Sequence, residues 1–327
     1  MRFQLPALAC VLTGASFCIH GQAPAPQSPP TDTVAPSIPG VVKEGTKVQF
    51  IKDGFQGTEG PIGLPDGSVI FTETNASRIT KIDKDGNTST FLENTNGSNA
   101  LALDKKARLI SVQTTPGQAK VGVIYPKGSE KTFTDNFEGK PYTRPNDLVV
   151  DKKGGVYFTE PANAPPGGPA PALPPAVYYV GPEGGKAVKI AENIAFPNGI
   201  TLSRDEKVLY VNDAQGEFLL AFDVQADGTV KNRRNFAKYE GVTKTASGNR
   251  SGADGLAIDS DGRLYAATSA GIEVFSPDGK QIGTIKLSRI PQNLAFAGPD
   301  KKTLYVVGRG AAFKIQMLAA GFKGRAK

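Results

Sequence analysis

The 327 residues are 39% hydrophobic and 21% charged, with a net charge of +7, the balance of a water-soluble globular chain with enough apolar material for a sizeable core. Lys and Arg are scattered rather than clustered and are not interleaved with aromatics, which argues against nucleic acid as a partner. Both cysteines and the single histidine, His20, fall within the first 21 residues, and Trp is absent; a chain cut near Gly21 therefore keeps no disulfide, no Cys nucleophile, no Ser-His-Asp triad and no His-ligated zinc.

Residues 1–21, "MRFQLPALACVLTGASFCIHG", place one Arg ahead of an apolar stretch with small residues at Gly14, Ala15, Ser16 and Gly21. This is the pattern of a secretory signal peptide, with an apolar run too short and too interrupted for a membrane span. The protein is expected in a periplasm or outside the cell. Residues 22–40 are dense in Pro, Ser and Ala and predict an extended linker outside the fold.

From residue 46 onward, short β-rich runs such as "SVIFTE", "GVYFTE", "VLYVND" and "TLYVV" are separated by Asp-Gly and Pro-Gly turns. The runs repeat. Aligned copies begin at Glu59 ("EGPIGLPDGSVIFTE"), Asn99 ("NALALDKKARLISVQ"), Asn146 ("NDLVVDKKGGVYFTE"), Asn198 ("NGITLSRDEKVLYVND"), Asp254 ("DGLAIDSDGRLYAAT") and Gln292 ("QNLAFAGPDKKTLYVV"). Starts about 40–55 residues apart, with about four strands each, predict an all-β six-bladed propeller over residues 41–320. Only two strands follow Gln292, so the early strand "TKVQFI", residues 46–51, is expected to complete the last blade and close the ring. Two stacked β-sandwiches would not explain six equivalent starts. Residues 321–327 are read as a basic tail.

In a propeller the innermost strand of every blade lines the central channel, so the six starting residues converge near one face. All six are polar, none is basic, and each can offer an oxygen. Turn chemistry explains Asn or Asp before Gly when taken singly, but Glu59 and Gln292 have long side chains that make poor turn-formers. Two carboxylates, Glu59 and Asp254, among amide oxygens describe a site for a hard divalent cation. Calcium is the first choice, with magnesium or manganese next and zinc less natural.

At these residues the chain resembles the gluconolactonase and regucalcin family of six-bladed propeller lactonases, also called senescence marker protein-like. The motifs "TEGP" at 58–61, "RPNDLVVD" at 144–151, "FPNGITLS" at 196–203 and "ADGLAID" at 253–259 stand in the family's order. The resemblance implies that Glu59, Asn198 and Asp254 hold the divalent metal. It also implies that Arg144 and Asn146 contact substrate and that Asp254 is the acid/base residue. In better-studied members a carboxylate in the loop after the third inner strand pair also binds substrate. Here that loop, "PANAPPGGPAPALPP" at 161–175, carries no acid, and Glu160 just before it is the available substitute.

The expected activity is hydrolysis of a lactone, a sugar lactone such as gluconolactone first, with a cation polarising the ring carbonyl and Asp254 moving the proton of the attacking water. The other reading is a non-catalytic, calcium-stabilised propeller that binds a small ligand or a protein. Arg144 is read at the rim, stiffened by Pro145, and Asn99 and Gln292 as further polar floor. The Pro-rich loop is read either as a lid or as a surface excursion. A small-molecule partner is expected, with no membrane span and with a monomer or weak oligomer.

Overall fold

The computed structural model describes residues 28–164, 168, 170–246 and 248–327. The expected signal peptide, with both cysteines and the histidine, lies outside the described residues.

Six antiparallel sheets follow one another along the chain. Blade 1 comprises Thr58–Gly63, Val69–Glu73, Arg78–Ile82 and Thr88–Glu93, and blade 2 Ser98–Leu103, Leu109–Gln113, Lys120–Tyr125 and Lys131–Thr134. Blade 3 comprises Leu148–Val150, Val156–Glu160, Ala176–Val180 and Val188–Glu192, and blade 4 Pro197–Leu202, Val208–Asp213, Phe218–Val224 and Val230–Lys238. Blade 5 comprises Leu256–Ile258, Leu264–Thr268, Gly271–Phe275 and Gln281–Ile285. Blade 6 has Asn293–Ala297, Thr303–Gly308 and Ala311–Gln316 from the end of the chain, then Lys47–Asp53 and Thr33–Val34 from its beginning. Lys47–Asp53 pairs with Ala311–Gln316, Val48 opposite Ile315, so an early strand closes the ring as expected, although three strands follow Gln292 rather than the two read from the sequence. Inner strands touch in the order 1-2-3-4-5-6 and back to 1.

The core lies between the blades. Each of six buried apolar clusters joins one neighbouring pair. Within blade 3, Leu148, Val150, Val156 and Phe158 pack toward blade 2, while Val149 and Tyr157 pack toward Ile200 and Leu209 of blade 4. Successive side chains of a strand point to opposite faces, so a strand buried on both faces is apolar at nearly every position. That is why "DLVVD" and "VYFTE" are not polar on alternate residues.

The Asp that ends an inner strand holds the following hairpin. Asp104 Oδ1 accepts from the backbone N–H of Lys106 and Arg108, Asp151 Oδ1 from Lys153 and Gly155, and Asp259 Oδ1 from Asp261 and Arg263, all at 2.8–2.9 Å. These are side-chain mimics of a turn, and they account for the Asp that recurs in "LALD", "LVVD" and "LAID".

Two segments expected outside the propeller are part of it. Thr33–Val34 adds a fifth strand to blade 6, and Ala35 and Ile38 are buried in the cluster between blades 5 and 6. The second half of the Pro-rich segment is therefore anchored, because its few apolar side chains cover an otherwise open sheet edge. Residues 321–327 cross the channel end remote from the ring of polar residues. The Phe322 N–H donates to Ile258 O, the Gly63 N–H to Ala326 O, and the Arg325 guanidinium to the carbonyls of Leu202 and Ser203.

Candidate active site

All six starting residues line one cleft of about 1070 Å³ at one end of the channel. Glu59, Asn99 and Asn198 are buried, and Asn146, Asp254 and Gln292 are half-buried.

Blade edges set these positions from behind. The acid that ends a second strand accepts the backbone N–H groups of the loop leading into the inner strand. Glu73 takes Gln56, Glu160 takes both Thr143 and Arg144, and Asp213 takes Phe196. The "FTE" and "YVND" endings are therefore brackets that fix the approach to Glu59, Asn146 and Asn198. Glu160 is not the substrate-facing acid that its sequence position suggested. Its carboxylate is wholly buried, is engaged by three backbone N–H groups including Ala162, and does not line the cleft. Burial pushes it up to about 7, with those three N–H groups opposing.

On the floor, Gln292 Nε2 donates to Glu59 Oε1 at 3.2 Å and Asn293 Nδ2 to Glu59 Oε2 at 3.1 Å. Asn99 Oδ1 accepts from Thr74 Oγ1 at 3.1 Å, and its Nδ2 donates to Asn146 O at 2.8 Å. Asn198 Oδ1 and Asp254 Oδ1 differ from these: both are buried and neither has a hydrogen-bond partner. Burial pushes Glu59 up to about 7, with Asp147 adding and the Asn293 hydrogen bond and Lys327 opposing. Asp254 is driven well above the carboxylate range by burial first and then by Glu59 and Asp147, with Arg309 and Lys327 opposing. Two neighbouring acids in a partly desolvated site resist joint ionisation.

A third acid lies under the ring. Asp147 is fully buried, and its Oδ2 accepts from Lys327 Nζ at 2.5 Å. Residues 321–327 thus carry an ammonium group into the closed end of the channel, where it neutralises the innermost carboxylate. Sequence reasoning missed Asp147, Asn293 and Lys327. The dipeptides Asn146-Asp147 and Gln292-Asn293 were the available signal, since both place a polar residue where the other blades have Gly or Ala. It also missed Arg250 and Arg309, which line the wall beside Arg144.

Among the described residues no group of three or more His, Cys, Asp and Glu side chains is placed to hold a metal. The floor offers instead two carboxylates and amide oxygens, two of its oxygens being buried and unpartnered. This donor set fits a hard divalent cation, which would satisfy both oxygens and offset the repulsion between the acids. Residues 165–167 and 169 of the Pro-rich loop, read from sequence either as a lid or as a surface excursion, lie outside the described residues; of the rest of that loop, Asn163 lines the cleft.

The fold and this polar floor define a class, the six-bladed β-propellers with a polar cleft at one end of the channel, and the gluconolactonase and lactonase relatives make the chain a carboxylic-ester hydrolase. The profile of the SMP-30/Gluconolactonase/LRE-like region matches residues 57–309, and the chain belongs to that family. It is 28% identical over 275 residues to a gluconolactonase of Zymomonas mobilis subsp. mobilis, covering 77% of this chain and 75% of the relative. A solved gluconolactonase from Xanthomonas campestris superposes with a TM-score of 0.76 at 24% identity, covering 89% of this chain and 98% of that one. The calcium-binding protein regucalcin from Agrobacterium tumefaciens does so at 0.67 and 17%, covering 84% and 95%; at these identities both structures speak for the fold.

Proposed function

We propose that this protein opens a lactone ring by hydrolysis in the cleft above Glu59, Asn198 and Asp254, with a sugar lactone of the gluconolactone type as substrate and a divalent cation, calcium first, on those three residues. The carrying observation is the pair of buried, unpartnered oxygens on Asn198 and Asp254 beside a second buried carboxylate. Membership of a family with gluconolactonase members, and a fold shared with a calcium-binding protein, support it.

When bound, the cation would supply charge to polarise the lactone carbonyl and stabilise the oxyanion. Asp254 moves the proton. Its carboxylate accepts a proton from water as the water oxygen bonds to the carbonyl carbon. It returns that proton to the ring oxygen as the acyl–oxygen bond breaks, leaving a hydroxy acid. Arg144, its backbone fixed by Glu160, and Asn146, its carbonyl fixed by Asn99, orient the ring hydroxyls.

Acid release from D-glucono-1,5-lactone tests the proposal. Activity is expected to fall with a chelator, return with calcium, and drop by about 10²–10⁴-fold in Asp254→Asn. Turnover indifferent to both interventions sinks the mechanism.

A further inference from the structure

The cleft's charge is divided by depth. Its lining acids are Glu59 and Asp254, both on the floor, and its lining bases are Arg144, Arg250 and Arg309 on the wall. Arg144 precedes the inner strand of blade 3, Arg250 ends the hairpin Thr243–Thr245/Gly248–Arg250 that precedes blade 5, and Arg309 sits in the turn after the second strand of blade 6. Blades 3 and 6 are opposite in a ring of six, so Arg144 and Arg309 face each other across the mouth with Arg250 between them on one side.

None of the three guanidiniums is in an ion pair among the described residues, whereas Arg78, Arg108, Arg234 and Arg263 each hold a carboxylate. Glu217, beside the hairpin, is engaged by Asn249 Nδ2 at 2.9 Å and does not line the cleft. Arg309 is placed by its own backbone, whose N–H donates to Gln292 Oε1 at 2.6 Å, and its charge reaches Asp254. Asn163 Oδ1, also in the wall, is buried without a partner.

A neutral sugar lactone presents hydroxyls, for which one guanidinium and the ring of Asn side chains suffice. Three unpaired guanidiniums above a floor whose negative charge a divalent cation would offset leave the mouth positive. Such a wall matches carboxylate or phosphate oxygens, which accept the planar, two-pronged donation of Arg.

We infer that the substrate is an anionic lactone, one whose ring carries a carboxylate or phosphate group remote from the carbonyl that is attacked, held by Arg144, Arg250 and Arg309. This rests on the reading of the cleft as a lactone site.

Two rings that differ at one carbon test it: D-glucaro-1,4-lactone, which bears a terminal carboxylate, and D-glucono-1,4-lactone, which bears a hydroxymethyl group there. At low ionic strength kcat/KM is expected to favour the charged ring by about tenfold or more, the worth of one good charge-assisted hydrogen bond. The advantage should shrink as salt is raised. Arg309→Met and Arg250→Met should each cut the ratio several-fold, mostly through KM, and Arg309→Lys should restore part of it. Equal handling of the two rings, or a ratio unmoved by the substitutions, overturns the inference. If neither ring is hydrolysed, the lactonase reading fails on its own. The same ratio measured as binding affinity by calorimetry then decides whether the wall selects anions: a tenfold preference sustains the inference, and parity removes it.

Discussion

Gly199 lies directly against Asp254. Its N–H donates to the Asp254 carbonyl oxygen at 3.0 Å, and a Cβ on Gly199 would collide with that same oxygen. The relation recurs around the ring, since a Cβ on Gly60 would meet Asn99 O at 2.5 Å and one on Gly255 would collide with Asn293 Oδ1. The glycine after a ring residue makes room for the inner strand of the next blade, against the ring residue itself at Gly60 and Gly199 and against the residue after it at Gly255. Gly199 and Gly255 are not in the left-handed region, unlike the turn residue Gly86 at φ +90° with nothing near its Cβ. Gly86→Ala is expected to cost about 1 kcal/mol from backbone strain alone. Gly199→Ala should cost about 3 kcal/mol, the upper range for overpacking, and should also displace Asp254. Denaturant midpoints and lactonase rates on both variants check this, with loss of rate expected only for Gly199→Ala.

The floor carboxylates are kept at a cost to the metal-free fold, since desolvation and the nearby acids push both toward their neutral forms. Glu59→Gln and Asp254→Asn should therefore leave the chelated protein as stable as the parent or more so, by about 1–2 kcal/mol. Both should remove the rise in Tm that calcium gives the parent. A fall in the Tm of chelated Asp254→Asn would show that the carboxylate has a structural partner in solution.

The sequence carried the architecture because repetition is visible without coordinates. Six copies, a missing strand and an early strand to fill it define the ring, and the converging polar starts follow from propeller geometry. The rest depended on contacts between distant segments. Glu160 and Asp254 are both acids at strand ends, and only the backbone N–H groups of Thr143, Arg144 and Ala162 distinguish a bracket from a site residue. Thr33–Val34 was hidden by its Pro-rich neighbours, and Lys327 by 180 residues of separation from Asp147. Arg250 and Arg309 stand in turns whose aim a period-two pattern does not encode.

Acidification should stabilise the metal-free protein. Glu160 is pushed from 4.5 to about 7 by burial, and Glu59 likewise. A carboxyl whose folded pKa exceeds its unfolded value binds more protons when folded, so stability falls as pH rises through the window from about 4.5 to 7 and is greatest on its acid side. For Glu160 alone the shift corresponds to about 3 kcal/mol across that window. The Tm of chelated protein should therefore drop between pH 5.5 and pH 8, and Glu160→Gln should flatten the slope. A Tm that climbs over the same interval would show that these acids are ionised in the fold.

The pairing of Lys327 with Asp147 links the closed end of the channel to the charge of the site above it. Asp147 has no exposure and Lys327 little, so neither charge has water to fall back on. Removing one partner of a buried pair strands the other, at about 3–5 kcal/mol, whereas replacing both by neutral groups can be nearly free. Lys327→Met and Asp147→Asn should each lower the Tm of the chelated protein, and the double variant should recover most of the loss. Simple loosening of residues 321–327 would give no such recovery. The two single variants should also part company at the site. With Asp147 neutral, the Lys327 ammonium stands uncompensated beneath Glu59 and Asp254 and should weaken calcium binding; with Lys327 neutral, no such repulsion arises. Calcium affinities equal in the two single variants would mean that the pair holds the fold together without setting the field of the floor.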